Sequence, residues 1–162
     1  MLALTGVTKA FSGRLVLNGL DFAVEPGERV ALLGANGSGK TTTLRCVVGL
    51  ARADSGRMTI GGVDVAQDPL DARRHLSYLP QKSVFPSTLT VRETLNVVAN
   101  LRDTPREAVD RELDACDLVR LADRGVAHLS GGEHQRLAMA VAFLPAVDLY
   151  LFDEPSAHLD PI

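Results

Sequence analysis

Residues 34–41 read Gly-Ala-Asn-Gly-Ser-Gly-Lys-Thr, a match to the phosphate-cradling pattern G-x-x-x-x-G-K-[ST]. Gly34, Gly37 and Gly39 let the backbone turn where a side chain would clash, so that consecutive N–H groups can point inward at an anion. Lys40 adds a point positive charge that can reach β- and γ-phosphates, and the Thr41 hydroxyl can ligate Mg²⁺. The flanks suit the loop. Arg29-Val-Ala-Leu-Leu33 is a short apolar run expected to form a buried strand. Thr41 to Leu50 is expected to be helical, with its positive end toward the phosphates. By itself the stretch could be a Gly-rich strand-to-helix turn; with these flanks it implies a bound nucleoside triphosphate.

Before the loop, short apolar runs alternate with turn residues: Leu2-Ala-Leu4, Leu15-Val-Leu17 and Phe22-Ala-Val24, then Glu25-Pro-Gly27. This is the pattern of an antiparallel β layer. After the loop, Arg57 to Val65 reads as a hairpin around Gly61-Gly62, and His75 to Leu79 as a strand ended by Pro80. Three capping boxes then announce helices. Thr90-x-x-Glu93 opens one running to about Leu101, Thr104-Pro105-x-Glu107 opens the next, and Ser130-x-x-Glu133 a third. A strand returns at Leu149-Tyr-Leu-Phe152. The alternation predicts an α/β domain with parallel central strands.

Composition sets outer bounds. The chain has 162 residues, 46% apolar and 23% charged, with a formal net charge of -3. Those are the proportions of an ordinary globular domain, and no basic face for nucleic acid is expected. Cys46 and Cys116 have neither metal-ligand spacing nor a disulfide framework, and both are expected to be small core residues in a reducing compartment. The opening Met-Leu-Ala-Leu-Thr-Gly lacks the features of a signal peptide. The longest uncharged apolar run, Leu137–Val147, has 11 residues and contains Pro145, whereas a membrane-spanning helix needs about 20. No helix is evident after the strand ending at Phe152, so that strand is expected to lack a covering layer, and a chain cut at its C-terminus is anticipated.

Five further segments, in chain order around the loop, resemble the ATP-binding subunit of ABC transporters. Leu129-Ser-Gly-Gly-Glu133 is similar to that family's signature, and Leu149-Tyr-Leu-Phe-Asp-Glu154 to its Walker B strand. Gln81 stands at the Q-loop position, Ser156-Ala-His-Leu-Asp160 resembles the D-loop, and Phe11 occupies the aromatic A-loop position. Each piece also has its own chemistry. Four apolar residues before Asp153 suit a buried strand that delivers two acids at its carboxyl end, where α/β sheets bind ligands. Ser130 and Glu133 form a capping box that needs no function, yet paired glycines at a helix start also leave N–H groups for a phosphate.

The resemblance implies a P-loop NTPase with a parallel central sheet, an N-terminal antiparallel β layer and a helical subdomain, spanning residues 1–162 with the helical part at about 82–128. It implies ATP and Mg²⁺ as ligands. ATP would be held by Phe11, Gly34, Asn36, Gly37, Ser38, Gly39, Lys40, Thr41 and Thr42. Ser130, Gly131 and Gly132 would act on the nucleotide of the opposite subunit in a head-to-tail dimer, with Asp160 contacting that subunit. Thr41, Gln81 and Asp153 would serve the metal, while Glu154, Lys40 and Gln81 would carry catalysis. The partners implied are a transmembrane transporter subunit and a second ATPase copy, with no nucleic acid. The location implied is the cytoplasm, peripheral on the inner face of the cell membrane.

The chain departs from the family pattern at Glu133, where glutamine is commonest, at His134, where a basic or amide residue is usual, and at Val141 in place of a frequent arginine. These departures lean toward an exporter-type or ABC-2-like subunit. The family's switch histidine lies beyond residue 162, and His158 belongs to the D-loop segment instead. A soluble relative acting in DNA repair or translation is the alternative. The repair type carries a long coiled-coil insertion, but only 47 residues separate Gln81 from Leu129 here, without heptads. A small-molecule kinase would share the phosphate loop but has no use for Leu-Ser-Gly-Gly at a helix start.

Overall fold

In the computed structural model, which describes residues 1–154, strands β1 (Leu2–Phe11) and β2 (Arg14–Val24) pair antiparallel, with Leu2 opposite Val24 and Leu4 opposite Phe22. β3 (Ser55–Ile60) lies on the other edge of β1, setting Ile60 against Leu2 and Met58 against Leu4. It turns over Gly61-Gly62 into β4 (Val63–Asp64). The sheet order is β2-β1-β3-β4. Leu2, Leu4, Met58 and Ile60 are buried, as the period-two alternation of apolar residues requires. The expected antiparallel layer is therefore present, with strands longer than the short apolar runs.

Two units divide the chain. Among the described residues the first is Met1–Leu76 with Val147–Leu151, and the second is Ser77–Ala146 with Phe152 to Glu154. The first holds the β layer, α1 (Lys40–Val47) and α2 (Pro69–Arg74). α2 is an element the sequence reading passed over. Its start is nonetheless encoded, because the Asp68 side chain accepts from Asp71 N–H at 3.1 Å and Pro69 takes the first helical position.

The second unit is mostly helical: α3 (Val91–Leu101), α4 (Glu107–Ala115) and α5 (Gly131–Phe143). Val91, Leu95, Val109, Leu113, Leu137, Ala140 and Leu144 form its buried core. The boxes at Thr90/Glu93 and Ser130/Glu133 are both fully made. The one expected at Thr104/Glu107 is not. Arg106 occupies the N-cap of α4 with no side-chain cap, while Thr104 N–H is bonded to Ala99 C=O at the end of α3. The end of α3 claims the threonine, and the next helix starts later than expected.

β5 (Leu76–Leu79) and β6 (Leu149–Phe152) pair with each other. Leu149 N–H donates to His75 C=O in the first unit, and Asp153 N–H to Leu79 C=O in the second. The run Arg29–Leu33 corrects an expectation. It lies in no strand, and Val30 and Leu33 are 53% and 90% exposed. Among the described residues no strand pairs with it, and an apolar run becomes a buried strand only when a ladder neighbour satisfies its backbone.

Cys46 is buried and Cys116 is partly buried beside the helical core. Burial raises both thiols above the ordinary cysteine value. Both are packing residues, as composition suggested. No helix among the described residues is long and apolar enough to cross a membrane.

Candidate functional site

The phosphate loop lies in the first unit and ends on α1. Gly39 is the N-cap residue in the left-handed region, at φ 99°. A Cβ there would also lie 2.9 Å from Leu17 Cδ2 and 3.2 Å from Val16 C=O. Two independent constraints thus demand glycine. The Lys40 ammonium donates to Gly34 C=O at 2.7 Å and Ala35 C=O at 3.1 Å, which folds the loop around its own cation. Ser38 N–H closes the turn on Ala35 C=O at 3.1 Å.

The start of α1 differs from those of α3 and α5. α3 and α5 each carry a glutamate in the first turn and a complete capping box. α1 has no acidic residue in its first turn and no side-chain cap. A helix start with neither a side-chain cap nor an acid suits an anion, and its first residue, Lys40, is a cation. This donor set fits a polyphosphate. Thr41 and Thr42 sit in that first turn.

Phe11 ends β1, and its ring is half exposed, at 50%. Lys9 Nζ stands 5.1 Å from the ring centroid and is tied to Asp54 Oδ1 at 2.8 Å. Lys9 was not anticipated. Its signal is the two-residue spacing from Phe11, which places both side chains on one strand face.

The remaining expected residues lie in the second unit. Asp153 follows β6 and is only 5% exposed; the Tyr78 hydroxyl donates to its Oδ2 at 3.4 Å. Glu154 adopts φ 53°, a left-handed conformation unusual for a glutamate. Its Oε2 accepts from Gln81 Nε2 at 2.6 Å. The two residues that the resemblance would set in the Q-loop and at the end of the Walker B strand therefore meet directly, although 73 residues separate them. Tyr78 had no local signal, because its partner is reached only through β5–β6 pairing.

At the start of α5, Glu133 N–H donates to Ser130 Oγ at 3.3 Å, and Ser130 N–H returns to Glu133 Oε2 at 2.7 Å. The Ser130 backbone N–H, then its hydroxyl, hold the Glu133 carboxyl below its ordinary value of 4.5. Arg124 Nη1 stands 3.5 Å from Glu133 Oε1. Glu93 is lowered in the same way by Thr90. Folded values below the unfolded ones mean that both boxes contribute stability above the ordinary glutamate range. That contribution is lost as pH falls through the lowered values. The double variant Glu93→Gln/Glu133→Gln is expected to lose less thermal stability than the parent on acidification from about pH 6 to about pH 3. Melting curves that fall in parallel would refute this.

Gly131, His134 and Gln135 of α5 share a cleft of about 350 Å³ with Gln81, Lys82, Ser83, Val84 and Phe85. The His134 ring rests against Phe85 at 5.2 Å between centroids. Asp160, His158 and the rest of the D-loop segment lie outside the described residues. Phe11 and residues 34–42 thus belong to the first unit, while Gln81, Ser130, Gly131, Gly132, Asp153 and Glu154 belong to the second.

Comparison with known proteins bears on this arrangement. The family model described as ABC transporter matches residues 17–157. "Nod factor export ATP-binding protein I" of Burkholderia pseudomallei (strain 1710b) is 38% identical over 159 residues, covering 96% of this chain and 52% of that protein. "Spermidine/putrescine import ATP-binding protein PotA" of Mesoplasma florum is 35% identical over 164 residues, covering 99% of this chain and 47% of that protein. The chain thus spans about half the length of these curated relatives. A solved structure titled "Structure of ATP binding subunit of ABC transporter" superposes with a TM-score of 0.91 at 33% identity, covering 99% of this chain and 69% of that one. A likeness at this level supports the α/β P-loop fold expected from the sequence.

Proposed function

The chain belongs to the ABC transporter family, and we propose that within it the chain is the ATP-binding and ATP-hydrolysing part of a motor subunit that drives solute through a partner membrane protein. The observation that carries this reading is the start of α1, whose first turn has neither a side-chain cap nor an acid and whose Lys40 is lodged on the loop carbonyls. On this reading the two units are parts of one ATP-binding domain, with residues about 82–128 as its helical subdomain.

The loop N–H groups and Lys40 bind the phosphates and neutralise charge as it moves toward the leaving oxygen. Phe11 offers a ring face to adenine. Thr41, Gln81 and Asp153 would hold Mg²⁺, which when bound neutralises charge on the β- and γ-phosphate oxygens. Glu154 accepts a proton from the attacking water as its oxygen bonds to the γ-phosphorus and the bond to ADP breaks. Gln81, already bonded to Glu154 Oε2, fixes the direction of that carboxylate. Ser130, Gly131 and Gly132 serve the nucleotide of a second copy in a head-to-tail dimer. The working place is the cytoplasmic face of the cell membrane. Glu133, His134 and Val141 favour the exporter or ABC-2-like subgroup; the relatives named above include both an exporter and an importer.

The test is co-purification. A tagged protein carrying Glu154→Gln would be isolated with ATP from detergent-solubilised membranes, and its partner identified. A polytopic membrane protein supports the transporter reading. Recovery with ribosomes or DNA, or in the soluble fraction alone, would move the chain to the soluble branch acting in translation or repair.

A further inference from the structure

We infer that Arg73 is a positioning residue for the phosphate loop, acting through the far end of the helix that carries it. The inference rests on reading that loop as an ATP site. α1 has only 8 residues, about 12 Å of helix. A helix shorter than about 12 residues is marginal in isolation. What steadies its C-terminal end therefore also determines how well ordered the N–H groups of its first turn are.

That end is closed by two sets of bonds. The first is local. Gly49 N–H donates to Cys46 C=O at 3.1 Å and Leu50 N–H to Arg45 C=O at 2.8 Å, with Gly49 left-handed at φ 73°. This is a Schellman closure. It leaves the Val48 and Gly49 carbonyls pointing onward, at the negative end of the helix. The second set comes from α2, which lies outside the local segment. Arg73 Nε donates to Val48 C=O at 3.2 Å, and Arg73 Nη2 to Gly49 C=O at 3.1 Å. One planar cation thus spans two successive carbonyls, a geometry that arginine makes and lysine cannot duplicate.

The fit is close enough to constrain the neighbour. A Cβ on Gly49 would lie 3.1 Å from Arg73 Nη2. Gly49 suits the site through its left-handed backbone, and a side chain there would also press on the guanidinium. Arg73 itself is held by a short helix with its own side-chain cap at Asp68 and a buried Ala72. Arg73 thus connects two anchored elements. Its guanidinium sits on the carbonyls at the end of α1 opposite the loop, so its contribution is to the order of α1 and not to the reacting atoms.

The experiment titrates a fluorescent ATP analogue, mant-ATP with Mg²⁺, at 25 °C into the protein and its Arg73→Ala, Arg73→Gln, Arg73→Lys and Lys40→Ala variants. Circular dichroism checks folding in each. Arg73→Ala is expected to weaken binding about fivefold, with Arg73→Gln and Arg73→Lys, which keep one donor, losing about twofold. Amides of the first turn of α1 should exchange faster in Arg73→Ala. A folded Arg73→Ala that binds as tightly as the parent would overturn the inference, even if it melts at a lower temperature. If Arg73→Ala does not fold, parent-like affinity in Arg73→Gln would overturn it equally. Lys40→Ala separates the two readings: undiminished binding there would remove the nucleotide site itself, whereas loss there beside parent-like Arg73 variants would remove only the positioning role.

Discussion

Replacing Glu154 with glutamine is expected to cut ATP turnover by about 10²–10⁴-fold, the usual contribution of a positioned general base. Nucleotide affinity should stay within about threefold of the parent, because the residue acts on water and not on binding. The substitution is nearly isosteric. The Glu154 carboxylate accepts from Gln81 Nε2 at 2.6 Å, and the glutamine carbonyl can take that bond over. Only the ability to accept a proton is removed. The variant should accumulate as an ATP-bound dimer, visible as an earlier peak in size-exclusion chromatography with ATP. Near-parental turnover would remove Glu154 from the role of base. The left-handed backbone at Glu154, φ 53°, gives a second reason to examine this position. Such strain in a non-glycine residue costs on the order of 1 kcal/mol or more and concentrates where function demands it.

Lys40→Ala is expected to weaken ATP binding by about 10- to 100-fold, the equivalent of one charge-assisted hydrogen bond. Lys40 now bonds to the Gly34 and Ala35 carbonyls. Its loss would remove both the cation that meets the phosphates and the internal tie that shapes the loop. Isothermal titration with ATP and Mg²⁺ reads the change directly. Affinity unchanged within about twofold would count against residues 34–41 as the phosphate site.

These expectations draw on local motifs, and those motifs were the most legible part of the chain. The two complete capping boxes were readable because Thr90 reaches Glu93, and Ser130 reaches Glu133, within one helical turn. The hairpin at Gly61-Gly62 was readable for the same reason. The box at Thr104 failed because the Ala99 carbonyl, at the end of the preceding helix, takes that residue's N–H. The run Arg29–Leu33 failed because apolar character is local, whereas a strand is a relation between segments.

The sequence by itself determined the family and the order of its motifs, since each motif is a pattern of residue types over a few positions that backbone sterics and helix capping translate directly into geometry. Tertiary structure alone decided which distant groups meet: Gln81 with Glu154, Tyr78 with Asp153, and Arg73 with the end of α1. No spacing rule joins partners 25 to 75 residues apart. Their encounter depends on strand pairing and packing, in which the free energy of many weak contacts fixes where each side chain finally lies.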